Sequence, residues 1–162
     1  MKLEEFNPDD STIYLENIAS KAFSGSEDSD ISEWFSFEEM LNSIKIGRGV
    51  CLSCFTKDGG TVGFIYAQQE NPINGREGVE KWVIIITAVD PSVSRSGIGT
   101  MLLDGIEKIA RTRKVCKMFV STNQNDNGVI GFYHKNGYSD AGYIRDYQHG
   151  KDNSAIFLLK YL

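Results

Sequence analysis

Residues 82–110 read WVIIITAVDPSVSRSGIGTMLLDGIEKIA, and the change of pattern inside this stretch carries the architecture. From 82 to 89 the chain is too continuously hydrophobic for a half-solvated strand, which predicts a strand covered on both faces, the central strand of a sheet. Beyond Gly97 the period becomes helical. Ile98, Leu102, Ile106 and Ile109 are spaced by four, four and three, an apolar stripe on a helix running to about Arg113.

Working outward, residues 50–55 and 61–67 are apolar, β-rich runs on either side of Lys57, Asp58, Gly59 and Gly60, and an Asp-Gly pair predicts a tight antiparallel hairpin. Residues 2–6 read as a short strand. Asp9 or Asp10 with Ser11 is expected to cap a helix whose loose apolar face is Ile13, Leu15, Ile18 and Phe23, and a second helix is expected over 36–44. A polar stretch, 68–80, leads into the central strand. Downstream of its helix come a strand at 118–121, a short helix at 129–135 and closing strands at 142–144 and 155–159. Helices follow strands only around the central strand, and hairpins flank it. That order predicts an α/β (α+β) fold, a mixed and mostly antiparallel central sheet of about six to seven strands with helices on both faces. With 162 residues, 41% of them hydrophobic, one domain spanning 1–162 can bury its own core.

Composition removes several function classes. No apolar run approaches the roughly 20 residues of a membrane span, and the opening MKLEEFNPDD carries acids where a secretory signal is apolar, so a cytoplasmic protein without membrane partners is expected. Three cysteines without disulfide or zinc spacing predict free thiols. Cys51 and Cys54 form a CxxC pair, but within a strand they point to opposite faces, so core packing explains them and no metal site is expected. The net charge of −5 sits in one segment: 24–39 holds Glu27, Asp28, Asp30, Glu33, Glu38 and Glu39 and no base, which leaves the remainder near +1. The basic run 108–117 reads as cations at a helix C-terminus, so no nucleic-acid partner is expected.

The join between central strand and helix, residues 89–100, has the makings of an anion site. Glycines let the backbone turn tightly and approach a ligand, and the first N–H groups of a helix lack partners inside it. A nucleotide-triphosphate loop needs Gly-Lys before Ser or Thr, but Gly99 is followed by Thr100 and Met101. A dinucleotide fingerprint needs a third glycine at Leu102 and an acid about 20 residues on, and residues 115–122 contain none.

The same residues resemble the acetyl-CoA motif of the GNAT superfamily of N-acetyltransferases, Val-x-Pro, two residues, a basic or glutamine position, then xxGxG. Val89, Pro91, Gly97 and Gly99 match; the basic position falls on Ser94, with an arginine displaced to Arg95. Downstream, Phe132, Tyr133, His134, Lys135, Asn136, Gly137 and Tyr138 look like the family's FYxKxGF signature, and the resemblance covers about 50–162. It implies acetyl-CoA as co-substrate, with the pyrophosphate on the loop of Ser94, Arg95, Ser96, Gly97, Ile98, Gly99 and Thr100. The pantetheine arm would then run along backbone groups of Thr87, Ala88 and Val89. It implies direct acetyl transfer to a primary amine, on a small molecule or peptide, in a ternary complex, and homodimers are common among relatives. Relatives often set an asparagine against the pantetheine before the last helix. Here the spacing to Tyr133 puts Asp126 in that slot, and Asn127 is open to that role or to a helix cap.

Tyr133 is the candidate acid, since a phenol of pKa about 10 stays protonated at neutral pH and can donate to a departing sulfur. Many relatives carry a glutamate base four residues before the valine of Val-x-Pro, a position occupied here by Ile85. Asp146 and Glu70 are alternative bases, each also readable as a surface acid; His134 and His149 are not preferred. The missing carboxylate leaves a second reading open, a non-catalytic acyl-CoA-binding sensor or scaffold. The acidic segment, with Trp34, Phe35 and Phe37, suits a cationic acceptor or, equally, a solvated loop anchored by its aromatics.

Overall fold

Residues 1–26, 29–70, 76–147 and 153–162 are described by a computed structural model of the chain. The apolar runs on either side of the Asp-Gly turn become β2 (Gly49–Phe55) and β3 (Thr61–Gln69), paired antiparallel with Leu52 opposite Ile65. The turn closes through the Thr56 N–H on the Gly60 carbonyl at 2.9 Å. β1 (Lys2–Glu5) adds outside β2, and β4 (Lys81–Val89) pairs antiparallel with the other side of β3. Helix α4 (Ile98–Thr112) then crosses over to β5 (Lys117–Asn123), which runs parallel to β4, as a helical crossover requires. β6 (Ser139–Ile144) and β7 (Ala155–Tyr161) complete a seven-stranded sheet of order β1-β2-β3-β4-β5-β7-β6.

β4 stands fourth in that order and is covered on both sides, as its continuous hydrophobicity predicts. On one face Leu52, Cys54, Ile65, Trp82 and Ile84 pack against Leu102, Leu103 and Ile106 of α4 and Tyr133 of α5 (Asn127–Lys135). On the other, Cys51, Phe64, Tyr66, Ile86 and Ala88 meet Leu15 and Ile18 of α1 (Ile13–Ala22) and Met40 of α2 (Phe37–Lys45). Cys51 and Cys54 thus lie in different clusters, both buried as free thiols, with Cys116 exposed. Periodicity alone missed one feature. The register slips at Tyr66/Ala67, so Ile84 faces one cluster while Ile86 faces the other, and Ile85 is the extra residue of a β-bulge.

The N-terminal helix departs from expectation at both ends. Thr12, not Asp9, Asp10 or Ser11, is its N-cap, and that side chain makes no capping bond because it reaches Glu16 instead, at 2.5 Å. Ile13 is 65% exposed and Phe23 lies at the C-cap; Ala19 takes the core position beside Leu15 and Ile18. The second helix starts where Ser36 accepts the Glu39 N–H at 3.2 Å. A short helix, α3 (Arg76–Val79), lies within the polar stretch before β4. The basic run does close a helix: Arg111 sits 3.4 Å from Glu107, and the Arg113 guanidinium lies 5.5 Å over the Trp82 ring.

Candidate active site

β4 and β5 begin side by side and then part. Their parallel register covers only Lys81↔Lys117, Trp82↔Met118 and Val83↔Phe119. From residue 84 onward the β5-facing edge of β4 has no strand partner among the described residues, so Thr87, Ala88 and Val89 lie beside an open gap. Unpaired main-chain groups on a strand edge bind an extended amide-bearing chain as another strand would.

The loop at the end of β4 is built to leave its amides free. The Asp90 carboxylate accepts the Ser92 N–H at 2.9 Å and the Ser92 hydroxyl at 2.7 Å, and Lys21 of α1 ties it from above at 3.1 Å. These contacts hold the Asp90 carboxyl low, near pKa 2. A single 3-10 turn, Pro91–Val93, follows, after which Arg95 (φ 63°) and Gly97 (φ 83°) both adopt the left-handed region. Alternation of this kind points successive N–H groups to one side. Among the described residues the N–H groups of 95–100 have no hydrogen-bond partner, and the first helical bond is Met101 to the Gly97 carbonyl at 2.9 Å. Six amides at the positive end of a 15-residue helix fit a phosphate or pyrophosphate.

The two glycines of this loop serve different ends. A Cβ on Gly97 would point into open space, so that residue meets the positive φ and leaves the ligand side clear. A Cβ on Gly99 would come within 3.2–3.3 Å of the Phe132 ring, so this glycine lets α5 sit close against the start of α4. That approach places the next residue, Tyr133. Its side chain is 3% exposed, with Phe132 and Tyr138 packed edge-on at ring centroids of 5.0 and 5.2 Å. Its hydroxyl lies 3.3 Å from Thr87 Oγ1, at the gap between β4 and β5. Burial pushes the phenol up to about 12, partly opposed by the Thr87 contact, so it is protonated at any working pH.

The remaining candidates divide clearly. Asp126, not Asn127, caps α5: its carboxylate accepts the Val129 N–H at 2.9 Å, and Asn127 is the exposed first residue of the helix. The spacing fits a cap at the third N–H, which only the residue at 126 can reach. Ile85 packs against the α1/α2 cluster. Glu70 pairs with Lys81 at 2.8 Å at the far end of β4, while Thr87 lies opposite Ile65. Five strand residues, about 16 Å, separate that level from Glu70 and remove it as a direct base. Asp146 is exposed, with φ 50° and its N–H on Ser154 Oγ. His134 pairs with Asp140 at 2.6 Å. His149, Glu27 and Asp28 lie outside the described residues.

Of the acidic segment, Asp30 accepts from Ser32 and opens a 3-10 turn, and Glu38 and Glu39 lie in the first turn of α2. Phe35 is buried and Phe37 packs on it edge-on at 4.9 Å, so these rings anchor the segment, whereas Trp34 is exposed. Between α1 and this segment runs a groove of about 480 Å³ lined by Glu16, Asp30, Ile31, Phe35 and Phe37 among others. Sequence reading missed the buried Glu107 of α4, 2% exposed, whose carboxylate holds Lys160 Nζ at 2.7 and 2.9 Å. It treated Thr87 only as backbone, although this is the one side-chain hydroxyl of 82–89. Among the described residues no group of His, Cys, Asp and Glu is clustered for a metal, and no helix is long and apolar enough to cross a membrane.

The profile of the acetyltransferase (GNAT) family matches residues 12–138. Solved structures resemble the chain over nearly all its length. An aminoglycoside 6′-N-acetyltransferase complexed with coenzyme A is 19% identical, with TM-score 0.75 over 99% of this chain and 97% of that one. A ribosomal-protein-alanine N-acetyltransferase from Brucella melitensis is 17% identical, with TM-score 0.79 over the whole of both chains. An aminoglycoside 6′-acetyltransferase type Ii is 24% identical, with TM-score 0.73 over 99% and 97%. No curated protein sequence matches the chain.

Proposed function

Because the chain belongs to the acetyltransferase (GNAT) family, acyltransferases that use acetyl-CoA, we propose that it moves an acetyl group directly to a primary amine, with Tyr133 as proton donor. The observation that carries this reading is a buried, protonated phenol at the gap between β4 and β5, on a helix packed against the start of the six-amide loop. Acetyl transfer requires an uncharged amine nitrogen to bond to the thioester carbonyl carbon while the carbon–sulfur bond breaks and sulfur gains a proton.

In this reading the amides of residues 95–100 bind the pyrophosphate through hydrogen bonds and the helix dipole, with Ser94 and Arg95 at the rim. The free edge of Thr87, Ala88 and Val89 pairs with the pantetheine amides. Tyr133 supplies the proton to sulfur. With Ile85 at the strand position and Glu70 paired at the far end, the amine proton passes to water rather than to a side chain on β4. Asn127, six residues before Tyr133 at the exposed start of the same helix, belongs to the proposed cofactor set.

The acceptor in this proposal carries a positive charge besides its reacting amine, as a polyamine, an aminoglycoside or a basic peptide N-terminus does. Support comes from the groove where the Glu16 and Asp30 carboxylates stand beside aromatic rings. Free-thiol release from acetyl-CoA in a panel of these three amine classes tests the function. Turnover with at least one is expected. Binding of acetyl-CoA with no thiol release across the panel would leave the non-catalytic acyl-CoA sensor, which the apolar Ile85 favours.

A further inference from the structure

Thr87 carries the one side-chain hydroxyl of residues 82–89. Valine would fill the same space and suit a strand equally well, so packing alone does not call for a hydroxyl here. The Thr87 Oγ1 lies 3.3 Å from the Tyr133 phenol oxygen, across 46 residues of sequence. The Phe132 and Tyr138 rings pack edge-on against the Tyr133 ring, and Thr87 is the hydrogen-bond partner of its hydroxyl among the described residues. The contact stands beside the open edge of β4, beyond the last β4–β5 pair at Val83↔Phe119.

We propose that the Thr87 side chain is the positioning residue for the proton donor, holding the Tyr133 hydroxyl at the gap and donating to its oxygen as the phenol proton leaves. The inference rests on reading Tyr133 as the acid. In the balanced step the amine nitrogen bonds to the carbonyl carbon and the carbon–sulfur bond breaks. The phenol O–H bond breaks and an S–H bond forms. Thr87 keeps its own proton throughout and points it at the electron pair left on the phenol oxygen. Water takes the amine proton and returns one to the phenol.

The physical need is clear from burial. Desolvation disfavours the phenolate and holds Tyr133 near 12, while the Thr87 contact acts toward the ionised form. A simple thiol ionises at about 8.5, so complete transfer from the phenol is uphill, and a hydroxyl that donates to the developing phenolate lowers that slope.

Two measurements test it. In the protein without substrates, the Tyr133 ¹³Cζ resonance, identified by its loss in Tyr133→Phe, is expected to move in Thr87→Val and return in Thr87→Ser; an unmoved resonance in Thr87→Val overturns the contact. With the best amine of the panel, Thr87→Val is expected to lower kcat about tenfold, the worth of one hydrogen bond to a charged oxygen, with the acetyl-CoA KM within about twofold. Thr87→Ser restores kcat, and Thr87→Val costs nothing further in a Tyr133→Phe background. If Tyr133→Phe itself turns over normally, the acid assignment fails. If Tyr133→Phe is impaired but Thr87→Val is not, only the role of Thr87 fails.

Discussion

At the scale of single residues, Tyr133 shows how burial keeps a phenol protonated. Its ring is packed between Phe132 and Tyr138, and burial raises its folded pKa to about 12 against about 10 in an unfolded chain. A raised pKa means that the stabilising contribution is complete below about pH 10 and lost as pH rises toward 12. Below about pH 10 Tyr133 therefore stays protonated. The expected pH profile of kcat/KM for the acceptor is a rise as its amine deprotonates, with no falling limb up to about pH 10. A stopped assay at fixed ionic strength checks this, and a falling limb centred near pH 8 would assign the acid elsewhere. Tyr133→Phe keeps the packing and removes the proton, so kcat should fall by about 10²-fold with acetyl-CoA affinity little changed. Equal losses in binding and turnover would mark the tyrosine as structural.

At the scale of elements, α4 carries both the loop amides and a buried charge. Glu107 is 2% exposed and receives two contacts from Lys160 of β7, which also donates to the Asn136 carbonyl at 2.9 Å. The pair joins α4, the end of α5 and the last strand at one point. Breaking one side of such a pair leaves the buried carboxylate with only the longer contact, 3.4 Å, to the half-exposed Arg111. Lys160→Met should therefore destabilise the fold by about 3–5 kcal/mol, measured by urea denaturation. Replacing both partners, Glu107→Leu with Lys160→Met, should recover most of the loss, because no buried charge is then left unpaired and Arg111 is solvated. If the single variant unfolds like the parent, the ion pair contributes nothing to holding α4 against the sheet.

At the scale of the whole molecule, the charge is unevenly placed: a chain of net −5 keeps its acidic excess between residues 24 and 39, and of those acids Asp30 lines the groove with Glu16 and Phe37. The attraction proposed for a cationic acceptor would be screened over about 8 Å at physiological ionic strength. The acceptor KM should accordingly rise as salt is raised from 50 to 300 mM, roughly severalfold for two or more added charges, while the acetyl-CoA KM shifts less. Asp30→Asn should reproduce part of the rise at low salt. A best acceptor that is neutral apart from its amine, or a KM indifferent to salt, would return the segment to a solvated loop held by Phe35 and Phe37.

Much of this was written locally. Continuous hydrophobicity over 82–89 marked a strand buried on both faces, the Asp-Gly pair marked the hairpin, and the spacing of Ile98, Leu102 and Ile106 marked α4, because each signal depends on neighbouring residues and main-chain geometry. The loop glycines suggested an anion site for the same reason, whereas the aromatic signature pointed to the candidate site only through its resemblance to the family. Tertiary structure alone decided the rest. It set the bulge at Ile85 that turns Ile84 and Ile86 toward different clusters, and the separation of β4 from β5 after three paired residues. It distinguished Gly97, held by its φ, from Gly99, held by Phe132. It also joined Thr87 to Tyr133 and Glu107 to Lys160, across 46 and 53 residues. A repeat of apolar residues tells a segment which face to bury. Which distant side chain it meets there depends on strand register and on how closely two helices approach, and those are properties of the packed chain.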